Sequence, residues 1–207
     1  DGHWIRTIPG VAADAEVVVR DGGRIVRRDR GSVLCTHFGL SGPAVLDASR
    51  HLLNASDGTL SVRWLPGVPD DRLDAWLRAP EAPTIGAALR RTLPERLMKA
   101  ACAAAGVDPT CSPQQVRREA RARLVSELAP PTLPITGSRG DTFAEATAGG
   151  VPLREFALDT LESRIVAGLH ACGEVLDVDG RIGGFNFQWA WSSGFVAGSG
   201  AANSMSR

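Results

Sequence analysis

The chain has 207 residues, 43% of them hydrophobic and 22% charged, the composition of a soluble globular protein able to bury one large core or two small ones. Lys+Arg and Asp+Glu stand at 23 each, so no overall electrostatic pull towards nucleic acid or membrane is implied. No apolar run approaches the roughly 18 residues that span a bilayer, and no signal peptide is visible. The expected location is the cytoplasm. The opening, Asp1-Gly2-His3-Trp4, lacks a starting Met, as a fragment would.

Residues 16–28 place two β-branched runs around Asp21-Gly22-Gly23, which predicts a hairpin. A strand is expected over 32–35. Pro43 suits the first turn of a helix capped by Ser41 or Gly42, running to about Leu53 and stopping at Asn54. A further strand is expected over 61–65.

Residues 70–128 read as helical. Asp70 is expected to cap a helix reaching Arg78, with Pro80 and Pro83 interrupting it. Helices are expected over 84–93 and 95–105, the second ended by Gly106. Ser112-Pro113-Gln114-Gln115 has the form of a capping box, with the helix then running to about Leu128. Arg117, Arg118, Arg121 and Arg123 lie on that helix. Glu119 and Glu127 are interspersed and no aromatic accompanies them, so a solvated face is expected rather than a nucleic-acid face.

Pro130, Pro131 and Pro134 mark a boundary. Strands are expected over 133–136, 143–147 and 168–177. A helix is expected from Asn186 to about Ala202, with Ala190, Gly194, Gly198 and Ala202 at a spacing suited to close packing.

Cys35, Cys102, Cys111 and Cys172 form no Cys-x-x-Cys pair, and His3, His37, His51 and His170 stand at no ligand spacing from them. Buried, reduced thiols and no metal site are expected.

Three Gly-rich segments suggest backbone brought close to a ligand. Gly173-Glu174 follows an apolar run, where a carboxylate can accept hydrogen bonds from ligand hydroxyls. Gly183-Gly184 removes two Cβ atoms just before a helix whose first N–H groups are unpaired. Thr147-Ala148-Gly149-Gly150-Val151 repeats the pattern. Each also reads as a plain turn or cap. Thr36-His37-Phe38-Gly39-Leu40-Ser41-Gly42-Pro43 nearly imitates a hydrolase nucleophile elbow, but Pro43 stands where its last Gly is needed. His37 is the only side chain here suited to proton transfer near neutrality. Gly198-Ser199-Gly200-Ala201-Ala202-Asn203 fails as a dinucleotide motif at Asn203 and has no strand before it.

In order along the chain, Gly31 to Pro43, Thr147 to Val151, Thr160-Leu161-Glu162-Ser163 and Gly173-Glu174 through Gly198 resemble the BaiN/YhiN-type NAD(P)/FAD-dependent oxidoreductases. That family is also called aminoacetone oxidase-like, or HI0933-like, flavoproteins. The resemblance covers essentially the whole chain. It implies a mixed α+β and α/β architecture: a β-barrel-like part over residues 1–66 and a helical part over 67–132 as an insert, then the C-terminal part of a Rossmann-like FAD-binding domain over 133–207. It implies that Gly173 and Glu174 meet the ribityl or pyrophosphate region of FAD. Gly183, Gly184, Phe185 and Asn186 would wrap the isoalloxazine edge, and Thr147, Gly149 and Gly150 would lie near the flavin face.

The sequence departs from the family pattern at Ser32 (usually Glu), Cys35 (usually Phe) and Phe185 (usually Tyr). The last change deletes a hydroxyl. The family's N-terminal Gly-x-Gly-x-x-Gly segment, which holds the ADP half of FAD, is missing.

The resemblance therefore implies an FAD-dependent oxidoreductase passing hydride or electrons between a small organic molecule and flavin, with NAD(P)H or oxygen as the other partner. No nucleic-acid or membrane partner is expected, and this portion alone is expected to be inactive. The alternative is a non-catalytic fragment or binding module that holds no FAD, or a flavin-dependent RNA-modifying protein.

Overall fold

Gly22 and Gly23, both at positive φ, turn strand β1 (Ala12–Asp21) back into β2 (Arg24–Thr36), the hairpin expected from the sequence. The computed structural model describes residues 2–79 and 82–205. Asp1 and Pro80, on which two of the readings above fall, lie outside the described residues. The chain divides into two compact units, one ending at Gly137 and one beginning at Ser138. Both strands and helices are present, so the fold is mixed α/β.

In the first unit, β3 (Gly39–Ser41) and β4 (Gly58–Arg63) complete an antiparallel sheet in the order β3-β2-β1-β4. Ala13, Ala15, Val17 and Val19 alternate along β1 and are buried, as period-two patterning requires of a core face. Helix α1 (Pro43–Leu53) lays Ala44 and Ala48 on that face, with the Ala44 methyl 3.7 Å from where a Gly31 Cβ would stand. Pro43 starts the helix after Gly42, and Asn54 ends it. Gly42 is required: at φ +92° any Cβ would stand 2.7 Å from the Ser32 carbonyl oxygen.

The helical residues share the same core. Leu73 and Leu77 of α2 (Asp70–Leu77), Ile85 and Leu89 of α3 (Ile85–Leu89), and Leu97, Met98 and Ala101 of α4 (Glu95–Ala105) are buried there. Leu124 and Leu128 of α5 (Arg118–Leu128) join them. Gly106 ends α4 in the left-handed conformation, as expected.

Three local expectations are corrected. Pro69, not Asp70, caps α2; Asp70 lies in its first turn and pairs with Arg63 at 2.6 Å. The first of the two helices expected between Thr84 and Ala105 is short, because Pro94 caps α4 and the chain must leave helical geometry before it. Ser112 and Gln115 do bond, Ser112 N–H to Gln115 Oε1 at 3.3 Å, but they close a turn; the helix starts at Arg118.

The second unit holds a short antiparallel pair, β5 (Phe156–Ala157) and β6 (Glu162–Ser163), and the long helix α6 (Phe185–Met205). Its core comprises Phe156, Leu161, Leu176 and Ala197. The strands expected over 133–136 and 143–147 are absent among the described residues. Leu133 instead packs into the first unit's core, and Asp141–Phe143 forms a single 3-10 turn. Residues 168–177 are not a strand either: Gly173, at φ +74°, breaks the extended run into a 3-10 turn over Gly173–Val175.

On α6 the tightest approach lies off the expected row, although Ala190 of that row does pack 3.8 Å from where a Gly173 Cβ would stand. A Cβ on Gly200 would stand 2.6 Å from the Thr160 carbonyl oxygen, whereas Gly198 has nothing within 4 Å.

Candidate functional site

Gly173 is where the second unit's motifs meet. It is buried, and its N–H donates to Ser193 Oγ of α6 at 2.9 Å. Its carbonyl accepts from Trp189 Nε1 at 3.0 Å. Both polar groups of one residue are thus satisfied by side chains one helical turn apart. Ala190 between them keeps the helix close, 3.8 Å from where a Gly173 Cβ would stand.

The segment after Gly173 is held from the other side by residues 147–151. Val151 and Leu176 form a parallel bridge, with Val151 N–H donating to the Val175 carbonyl and Asp177 N–H to the Val151 carbonyl, both at 2.9 Å. Glu174 Oε1 accepts the Thr147 N–H at 2.8 Å. Gly150 sits so tightly here that a Cβ would lie 2.7 Å from the Val175 carbonyl oxygen. Of the expected site residues, Thr147, Gly150, Gly173 and Glu174 therefore form one junction.

The other glycines differ. Gly149, Gly183 and Gly184 have φ between +91° and +110° and nothing within 4 Å of a built Cβ. Their backbone faces open space, the condition for close approach by a ligand. Asn186 braces the second loop: Oδ1 accepts the Gly180 N–H at 2.7 Å, and Nδ2 donates to the Gly180 carbonyl at 3.3 Å. The first helical bond of α6 runs from Gln188 N–H to the Gly184 carbonyl. The N–H groups of Phe185, Asn186 and Phe187 therefore have no acceptor within the helix. Phe185 is exposed, with the Arg181 guanidinium 5.1 Å from its ring centroid.

His37 belongs to the first unit. It sits exposed on the turn between β2 and β3, where its carbonyl accepts from Arg6 Nε at 2.7 Å. Thr36 Oγ1 closes that turn by donating to the Gly39 carbonyl and accepting the Gly39 N–H. The elbow-like Thr36–Pro43 segment is thus a turn, a short strand and a glycine cap. All four cysteines are free thiols. Among the described residues, no group of three or more His, Cys, Asp or Glu could hold a metal ion, and no helix is long and apolar enough to cross a membrane.

Sequence reasoning missed Ser193 and Trp189. No local signal marks them, since their partner Gly173 lies 16 to 20 residues away in sequence.

Residues 16–200 match the model of the HI0933-like protein Rossmann domain family. The chain is 34% identical over 203 residues to a ribosomal RNA dihydrouridine synthase of Escherichia coli (strain K12), covering 93% of this chain and 46% of that protein. It is 30% identical over 209 residues to a 3-dehydro-bile acid delta(4,6)-reductase of Clostridium scindens, covering 97% and 51%. A ribosomal RNA dihydrouridine synthase of Haemophilus influenzae is 32% identical over 164 residues, covering 79% and 40%. The chain spans about half the length of these relatives.

Proposed function

The chain belongs to the HI0933-like Rossmann-domain family, and from that premise we propose that it is part of an FAD-dependent oxidoreductase that reduces a carbon–carbon double bond conjugated to a carbonyl. In this reading residues 1–66 and 67–132 are the two parts of an insert, and 133–207 return to the flavin domain. The observation that carries it is the Gly173 junction, with the open backbone of Gly149, Gly183 and Gly184 in the same unit.

The residues present fit a flavin. Gly173 and Glu174 are assigned to the ribityl and pyrophosphate region: Glu174 Oε1 is engaged by Thr147, which fixes the carboxylate and leaves Oε2 to accept a ligand hydroxyl. Thr147, Gly149 and Gly150 are assigned to the flavin face. Gly183, Gly184, Phe185 and Asn186 are assigned to the isoalloxazine edge, where the unpaired N–H groups opening α6 favour negative charge. FAD, reduced by NAD(P)H, would supply the hydride. Phe185 has no hydroxyl and moves no proton. His37, in the first unit, is the side chain proposed for proton transfer, and His37→Gln should then lower turnover of the longer protein.

The relatives' names favour conjugate reduction. Turning uridine into dihydrouridine and reducing a 4,6-diene beside a 3-oxo group both add two hydrogens across a double bond conjugated to a carbonyl. The names divide over substrate, a bile acid in one case and ribosomal RNA in two. The RNA names weigh against the expectation of a small-molecule substrate and no nucleic acid.

The test is the longer protein of which this chain is part. Purified, it should be yellow, release FAD on denaturation, and bleach anaerobically with NADH or NADPH. Failure to hold flavin in that form overturns the proposal.

A further inference from the structure

Helix α6 carries no charged residue between Phe185 and Met205, and its largest rings face the wrong way for a helix oriented by burial. Phe187, Trp191 and Phe195 are exposed, whereas Ser193 and Ala197 are buried. Apolar burial alone would turn the rings inward. The rotation of α6 must therefore come from specific contacts.

Two side chains supply them. Trp189 Nε1 donates to the Gly173 carbonyl at 3.0 Å, and Ser193 Oγ accepts the Gly173 N–H at 2.9 Å. Among the described residues of the second unit, Ser193 alone carries a polar side chain and is buried. The pair, one turn apart, reads both polar groups of a single residue. A helix slipped by one residue moves about 1.5 Å along its axis and turns about 100°, which would lose both bonds. A buried polar contact in an apolar seam fixes register in this way. Gly200 seats the far end of α6, where a Cβ would stand 2.6 Å from the Thr160 carbonyl oxygen.

Gly173 hands the constraint on. Glu174 follows it, exposed, with Oε1 held by the Thr147 N–H. Trp189 lies one turn from the N–H groups of Phe185, Asn186 and Phe187 that open α6. The same two side chains thus set the first turn of α6 relative to the Glu174 carboxylate.

We propose that Trp189 and Ser193 are positioning residues that key the register of α6 on Gly173, and so hold its first turn and Glu174 in the arrangement that receives the cofactor. That the cofactor is a flavin rests on the reading above. Both residues act through Gly173 and touch no reacting atom.

Cys172 reports the register. Its Sγ lies 4.0 Å from where a Gly194 Cβ would stand, within reach of a disulfide after a small side-chain rotation. In the 207-residue chain under mild oxidation, Gly194→Cys should cross-link to Cys172 about tenfold or more faster than Phe195→Cys, one residue on and facing solvent. With Trp189→Phe/Ser193→Ala added, the ratio should fall to about threefold or less as α6 samples neighbouring registers. Trp189→Phe alone keeps a ring and loses the N–H donor. It should lower the ratio part-way and guards against misfolding of the double variant. Val196→Ala removes packing against the same core and no side-chain hydrogen bond, and should leave the ratio unchanged.

In the longer protein, Trp189→Phe should weaken FAD binding about tenfold and shift the flavin's visible absorption, and Val196→Ala should do neither. An unchanged cross-linking ratio in the Trp189 and Ser193 variants, an equal fall in Val196→Ala, or parent-like FAD affinity and absorption in Trp189→Phe overturns the proposal. The cross-link needs no flavin. Cross-linking as expected in a protein whose longer form holds no flavin keeps the register key and sinks only the oxidoreductase reading.

Discussion

Ser193 holds Gly173 through both capacities of one hydroxyl: it accepts the Gly173 N–H at 2.9 Å and donates to the Trp189 carbonyl at 2.6 Å. Replacing it strands a buried donor, which costs about 1–3 kcal/mol. Ser193→Ala should lower the unfolding free energy measured in urea by that amount, whereas Ser199→Ala, on an exposed position of the same helix, should leave it unchanged. Equal effects would mean that the hydroxyl does not hold the junction.

Gly149 and Gly150 separate two costs of adding a methyl group. At Gly149 only backbone strain opposes it, since nothing lies within 4 Å. At Gly150 the methyl also meets Val175, Leu176 and Asp177 backbone atoms at 2.7–2.9 Å. Gly149→Ala should cost about 1 kcal/mol and Gly150→Ala about 2–3 kcal/mol or more, because neighbouring backbone must move. Chemical denaturation ranks the two variants directly.

These glycines also show what could be read in advance. Gly106 and Pro43 announced their helix ends because capping is local and needs only a few neighbours. Gly-rich segments at 147–151 and 173–174 were legible as close-approach sites for the same reason. Their partnership was not, since a strand is a relation between two segments and apolar residues do not name their mate. Residues 168–177 looked like a strand because nothing local reveals that Gly173 sends its N–H to Ser193. Ser112 and Gln115 form a local bond as expected, but such a bond closes a turn as readily as it opens a helix.

Asp74 joins α2 to α5 by accepting from Arg121, and it also pairs with Arg78 at 3.0 Å. The Arg121 hydrogen bond, helped by both positive charges, holds its carboxyl below the usual aspartate value of 3.8. The folded state therefore prefers the ionised form. That stability is present above the unfolded pKa and is lost as pH falls below about 4 through the folded value. Asp74 is 42% exposed, so solvent screening keeps the contribution to about 0.2–1 kcal/mol. Asp74→Asn should destabilise the chain by this much at pH 7, and the gap between the two proteins should narrow as pH falls below about 4.

Cys35 and Cys102 are fully buried, and burial pushes both thiols up to about 11. Both remain protonated at pH 8 and out of reach. A disulfide reagent should modify exposed Cys172 first and leave Cys35 and Cys102 untouched until denaturant is added. Because the unfolded thiols ionise near 9 and the folded ones near 11, the chain should lose stability as pH rises through that interval.

Phe187, Trp191 and Phe195 follow one another at four-residue spacing and form an exposed stripe along α6, with the first two rings 6.4 Å apart. Trp64 is fully buried. Iodide should quench Trp191 strongly and Trp64 hardly at all, and Trp191→Phe should remove most of the quenchable emission. Phe187→Ser/Phe195→Ser should reduce binding of an apolar dye while leaving the unfolding free energy within about 0.5 kcal/mol, as for surface positions.

The bridge between Val151 and Leu176 is parallel, and β5 and β6 lie in the chain between its two halves. A parallel pair cannot be closed by a tight turn, so the intervening chain must be gathered before the pair is rewarded. Contacts of that kind form slowly. The Gly173 junction is thus a late event in the life of each molecule. Lengthening the segment between β5 and β6 should delay its appearance during refolding far more than it alters the finished form.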